Sequence, residues 1–267
     1  MKKTVHVFLT LVFSCFAAAI LAAPAKLKTE KPDLDKIKAD VLNPRSEFYY
    51  PKLEARYSRN DTTMTPEEFR HFYLGYMFQE DYDPYRESEF DKVLERYREM
   101  DASKYTPHQI DSIIVFSEKT LKDNPFDLRQ MSFLIHALKL KKKNYSAKFW
   151  EYRLENLLGA IKSTGTGESA DDAWYVVYPM HEYDMVQLLG YDAVDAEYPK
   201  PGIDYLKVQP NEATSRRLRG KVAEGFYFNV AIPQQQYELK HPEEFSGSDV
   251  NASGVEPADT TVIIENQ

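Results

Sequence analysis

Between residues 43 and 140, proline follows an Asx residue three times at nearly constant spacing: Asn43-Pro44, Asp83-Pro84 and Asn124-Pro125, 40 and 41 residues apart. Proline cannot donate a helical hydrogen bond and drives the residue before it out of the helical region, so each pair stops the preceding helix. Large apolar residues then return at the sixth, ninth and thirteenth places after each proline: Tyr50, Leu53, Tyr57; Phe90, Val93, Tyr97; Met131, Leu134, Leu138. Steps of three and four put each triplet on one helix face. A second register runs between them. Thr65-Pro66-Glu67-Glu68 and Thr106-Pro107-His108-Gln109, 41 residues apart, both have the form of a capping box with proline at the first helical position. Their helices are expected to run to about Phe78 and Leu121, and a further helix over 147–161 closes the series. Residues 43–162 therefore read as a helical-hairpin region, a tetratricopeptide-like array with units of about 40 residues.

Past the Ser-Thr-Gly-Thr-Gly-Glu-Ser segment at 163–169 the helical period stops. Residues 174–178 and 225–232 are β-branched and aromatic, 203–208 is a short run of the same kind, and 183–189 is expected to pair back with 174–178. Residues 170–240 thus read as a small antiparallel β region packed on the helices, and the fold class is α+β.

The first residues have the layout of an export signal: Lys2 and Lys3, an apolar stretch from about Val5 to Leu21, then small residues at Ala22 and Ala23. A signal peptide over 1–22 is expected, with no transmembrane helix after its cleavage and an exported location, periplasmic or extracellular. Val12-Phe13-Ser14-Cys15 loosely resembles a bacterial lipobox, so lipoprotein anchoring at Cys15 is a minority alternative; the apolar run continuing past it argues against this. Residues 23–42 read as a flexible leader and 241–267 as a disordered acidic tail. Cys15 is the single cysteine of the 267 residues. Cleavage would leave none, which removes thiol catalysis and Cys-ligated metal centres from consideration. Losing Lys2 and Lys3 takes the formal charge from −8 to −10, which argues against nucleic acid as a partner.

The run Phe48-Tyr49-Tyr50-Pro51-Lys52-Leu53 with Arg56-Tyr57, followed by Asn60-Asp61-Thr62-Thr63-Met64-Thr65, Tyr73-Leu74-Gly75-Tyr76 and Tyr82-Asp83-Pro84-Tyr85, resembles the domain of unknown function 4919 family. Gly225-Phe226-Tyr227-Phe228-Asn229-Val230 is similar to that family's closing strand. The resemblance covers roughly residues 45–240. It implies a secreted or periplasmic protein of Bacteroidetes, and it brings no catalytic residue with it, because the family has no assigned activity.

Few chemistries leave a linear trace. Gly165-Thr166-Gly167 lacks the Gly-Lys-Ser/Thr and the third glycine of a phosphate cradle. His181-Glu182 opens like a zinc-protease helix, but Met185 stands where the second histidine is required. No cofactor and no metal is expected. His181, Glu182 and Asp184 remain as acid–base candidates for an envelope or polysaccharide hydrolase without a linear motif. The stronger reading is a non-enzymatic binding or scaffold protein of the cell envelope. Nineteen tyrosines and 15 phenylalanines crowd the chain. Tyr73, Tyr76, Tyr82 and Tyr85 are too many for one buried helix face and are expected to line a helical-array groove for a protein, peptide or glycan partner.

Overall fold

The computed structural model describes residues 28–216 and 222–245. The expected signal peptide with Cys15, the start of the leader and all of the expected tail 241–267 beyond residue 245 lie outside the described residues; the tail's first residues are not disordered, Pro242–Phe245 forming a short helix.

Seven helices come first: α1 (Leu34–Leu42), α2 (Tyr50–Ser58), α3 (Pro66–Gly75), α4 (Asp91–Arg98), α5 (Pro107–Asp123), α6 (Leu128–Leu140) and α7 (Asn144–Lys162). Their punctuation is that of the sequence. Asn43, Asp83 and Asn124 all make the same Asx turn, the side-chain oxygen accepting from the N–H two residues on, at 3.0, 3.1 and 3.2 Å. Proline at the intervening position has no N–H to offer, so the side chain spans it. Both capping boxes close: Thr65 accepts from the Glu68 N–H while Glu68 accepts from the Thr65 N–H, and Thr106 and Gln109 repeat the exchange. Tyr50, Leu53 and Tyr57 are buried on α2, and Met131, Leu134 and Leu138 on α6. The middle triplet differs. Phe90, Val93 and Tyr97 are half-buried, and α4 sends only Leu94 fully inside.

Three hairpins form, α2–α3, α4–α5 and α6–α7, but not as an open array. In a solenoid each unit touches only its neighbours. Here α3 of the first hairpin packs on α7 of the third as well as on α2, so the ends meet and the set closes into a bundle. The tetratricopeptide-like arrangement is therefore not what forms. The leader also needs correction: residues 34–42 are helix α1, opened by Asp33 as N-cap. Ile37 and Val41 are buried, and Val41 lies so close to Gly75 that an added Cβ there would sit 2.6 Å from its Cγ1. Glu30 is held too, its carbonyl accepting from Arg70 Nη2 while Arg70 Nη1 reaches the Ser163 carbonyl at the end of α7.

The second part has strands β1 (Trp174–Tyr175), β2 (Tyr191–Lys200), β3 (Ile203–Pro210) and β4 (Gly225–Asn229), with helices α8 (Met180–Leu188), α9 (Glu212–Ser215), α10 (Ala231–Lys240) and α11 (Pro242–Phe245). The sheet runs β1-β4-β3-β2. It is mixed rather than antiparallel, since β1 lies parallel to β4 with Trp174 opposite Phe228. The expected strand at 183–189 is helix α8. Its buried residues, His181, Glu182, Asp184, Met185 and Val186, are nearly consecutive, the signature of a helix enclosed on several sides rather than of a strand with one wet face. The unexpected strand is β2, largely exposed and paired with β3 through a Pro201-Gly202 turn. One buried cluster takes in Phe69, Phe72 and Leu157 from the helices together with Trp174, Leu206, Val208 and Phe228 from the sheet, so helices and sheet share a core.

Candidate functional site

Of the four tyrosines expected in a groove, three belong to the core. Tyr73, Tyr76 and Tyr82 are at most 6% exposed; only Tyr85, at 44%, reaches the surface. The excess of aromatics that pointed outward is absorbed by ring packing: Tyr76 meets Tyr82 at 5.1 Å, Phe126 at 5.2 Å and Tyr178 at 5.9 Å. A buried phenol keeps its hydroxyl satisfied, and Tyr82 donates to the Val177 carbonyl at 2.7 Å.

His181, Glu182 and Asp184 all sit on α8 and do not converge. At about 100° per residue their side chains leave the helix in three directions. His181 is sealed in: its Nδ1 lies 2.7 Å from the Tyr73 hydroxyl and its Nε2 2.9 Å from the Phe126 carbonyl. The carbonyl can only accept, so Nε2 carries the hydrogen and Nδ1 accepts from Tyr73, whose oxygen takes the Val177 N–H at 3.1 Å. The chain Val177, Tyr73, His181, Phe126 is saturated. Burial drives the His181 pKa down to about 3, so the ring is neutral. It is a tie between α3, α8 and the turn before α6, with no valence left for a reaction.

Asp184 points toward α6. Arg129 Nε and Nη2 both lie 2.9 Å from its Oδ1. Burial raises its pKa to about 6 despite that cation. Glu182 takes the third direction and meets Asp204 of β3, the two carboxyls hydrogen-bonded to each other. Burial raises both: Asp204 to about 6, and Glu182 further still, helped by the Asp204 charge. The pair therefore holds one proton over a wide pH range, Glu182 donating and Asp204 accepting.

Around this pair the surface is aromatic. Tyr183 (43% exposed), Tyr198 (60%) and Tyr85 come from α8, β2 and the loop before α4, and Met180 stands at the start of α8. Burial raises the hydroxyl pKa of all three tyrosines, and the charges of Glu182 and Asp204 raise it further. Tyr237 of α10 backs Tyr85 at 4.9 Å between ring centroids, and Lys240 pairs with Asp83 at 3.2 Å to hold α10 against that loop. The result is a collar of three tyrosines around a carboxyl pair, at the junction of bundle and sheet.

Sequence reasoning named Tyr85 and Glu182 but missed Asp204, Tyr183 and Tyr198. A signal existed for Asp204: in 203–208 it alternates with Leu206 and Val208, which places a carboxylate on the strand's core-facing side. Such a residue needs a partner. Elsewhere among the described residues, His241, Glu243 and Glu244 could bring ligand atoms within 4.8 Å of one another, on an exposed C-terminal turn. Among the described residues no helix is long and apolar enough to cross a membrane.

Fold and site together define an α+β protein in which a closed helical bundle and a small mixed sheet meet at a collared acid pair. The family model of the domain of unknown function DUF4919 matches residues 35–239, from α1 to α10, and the chain belongs to that family. No curated protein and no solved structure matches it.

Proposed function

We propose that this is an exported, non-enzymatic binding protein that takes a carbohydrate on the collar of Tyr85, Tyr183 and Tyr198. The observation that supports it is the coincidence of exposed phenol rings with a carboxyl pair. A sugar offers apolar C–H faces, which stack on tyrosine, and hydroxyl donors, which a carboxylate accepts. Asp204 is the acceptor; Glu182 keeps its proton, which spares the site a second buried charge. The export expected from residues 1–22 would place such a protein where envelope and external glycans are found. A glycan array followed by titration of the best oligosaccharide tests the reading. Tyr183→Ala with Tyr198→Ala should weaken binding by about tenfold or more. Failure of the folded protein to bind any glycan, or undiminished binding by the double variant, refutes it.

A hydrolase is the second reading, favoured by the shared proton of Glu182 and Asp204, which supplies a general acid beside a general base. His181 takes no part in it. Release of reducing ends by the wild type, abolished in Asp204→Asn with binding retained, would favour this reading over simple binding.

A further inference from the structure

A second cleft lies in the helical half, walled by α2, α3, α5 and α7, with a volume of about 360 Å³. That is the lower end of the range for small-ligand sites. At one end is Arg153 of α7, 7% exposed. Its guanidinium stands 3.9 Å from the Tyr57 ring centroid, 4.6 Å from Phe149 and 4.8 Å from Trp150. Nη2 donates to the Tyr57 carbonyl and to Asn60 Oδ1. Its Nε and Nη1 bond to no described residue, and among the described residues no carboxylate lies within ion-pair distance. A buried guanidinium ordinarily has an anion beside it. Here the place for one is the cleft that Arg153 lines.

The cleft also has acidic lining. Glu54, about one helical turn N-terminal of the Tyr57–Ser58 end of α2, and Asp81 both face the cleft, and neither has a cation partner among the described residues. Burial and the Asp81 charge together raise the Glu54 pKa. The remaining charges are Arg86, whose Nη2 donates to the Asp81 backbone carbonyl at 3.1 Å and whose Nη1 lies 3.9 Å from Asp123, and Glu118 and Lys122, one turn apart on α5. Besides these the cleft is lined by the Arg153 guanidinium, with Trp150 beside it, and by the carboxylates of Glu54 and Asp81.

We propose that this cleft binds a short peptide as a zwitterion, its C-terminal carboxylate on Arg153 and its N-terminal ammonium between Glu54 and Asp81. A free amino acid does not fit as well, because its two charges are adjacent. At roughly 3.3–3.6 Å per residue, a di- or tripeptide sets them apart by about the one turn of α2 that separates Glu54 from Tyr57, the residue on which Arg153 stacks. An aromatic central side chain would lie against Trp150.

Calorimetric titration of the whole protein with Ala-Phe-Ala, with its N-acetyl form and with its C-terminal amide tests this. Either blocking group should weaken binding about tenfold or more. Glu54→Gln with Asp81→Asn should reproduce the N-acetyl loss for the free peptide and add nothing to it for the acetylated one. Because both acids are exposed and unpaired, this variant folds even if Arg153→Lys, which disturbs a tie between α7 and α2, does not. Equal affinity for the three peptides, or no binding at millimolar free peptide, overturns the proposal. The Tyr183→Ala, Tyr198→Ala variant should bind the peptide as the wild type does, so the outcome is independent of the collar.

Discussion

Two neighbours on α8, His181 and Glu182, are both buried and both far from their ordinary pKa values, yet their surroundings differ. His181 is saturated: each ring nitrogen has a partner, each partner is in the core, and the ring is neutral. Glu182 shares a hydrogen bond with Asp204 and lies close enough to the exposed Tyr85, Tyr183 and Tyr198 to act on their hydroxyls. Burial and a perturbed pKa alone do not separate a structural group from a working one. What separates them is whether any valence and any surface remain.

The largest effect should come from breaking the saturated side. His181→Ala leaves the Tyr73 hydroxyl and the Phe126 carbonyl without their partner and opens a cavity, at a cost of about 3–5 kcal/mol in urea unfolding. A loss under about 1 kcal/mol would show that the relay is not the tie described.

Next in size is a pH effect in which the two sides pull in opposite directions. The His181 pKa is depressed, so its contribution is present above the unfolded value near 6.5 and is lost as pH falls, on the order of 2 kcal/mol at pH 5. The pKa values of Asp184 and Asp204 are raised to about 6, so theirs is present below the unfolded value near 4 and is lost as pH rises through 6, on the order of 1 kcal/mol each between pH 5 and 7. Glu182 adds to the acid side. The wild type should therefore be at least as stable at pH 5 as at pH 7. Asp184→Asn with Asp204→Asn should lose stability over the same interval, because less opposes His181. Parallel pH profiles for the two proteins would contradict the assignment of these carboxyls.

The smallest effect on stability sharpens the comparison from the other side. Tyr183→Ala and Tyr198→Ala should each change unfolding free energy by about 0.5 kcal/mol or less, while together reducing glycan affinity as stated above. A collar substitution that cost several kcal/mol would place these rings in the core's account rather than the ligand's.

How much of this could be read in advance follows from the range of the forces involved. The helical half was legible because its signals are local: Thr65 and Thr106 find their capping partners three residues away, and the Asx turns at Asn43, Asp83 and Asn124 act over two. What those signals do not encode is α3 folding onto α7, which closed the bundle and filled the groove expected at Tyr73, Tyr76 and Tyr82. In the other half the information is almost wholly non-local. The apolar content of 183–189 suits a strand or a buried helix equally, and only the enclosing surfaces of bundle and sheet decide it. Asp204 became a site residue through a contact with Glu182, 22 positions earlier, that no spacing announces. The expectation of export rests on residues 1–22, outside the described part of the chain.

The common interior of helices and strands has a further consequence. One continuous set of buried side chains runs from Phe69 to Phe228, and the collar is assembled on top of it from α8, β2 and the loop before α4, around a pair completed by Asp204 of β3. The proposed recognition at that surface would thus be tied to the integrity of this shared interior. A fragment ending at residue 162, however helical, would keep Tyr85 alone of the three rings proposed to meet a sugar.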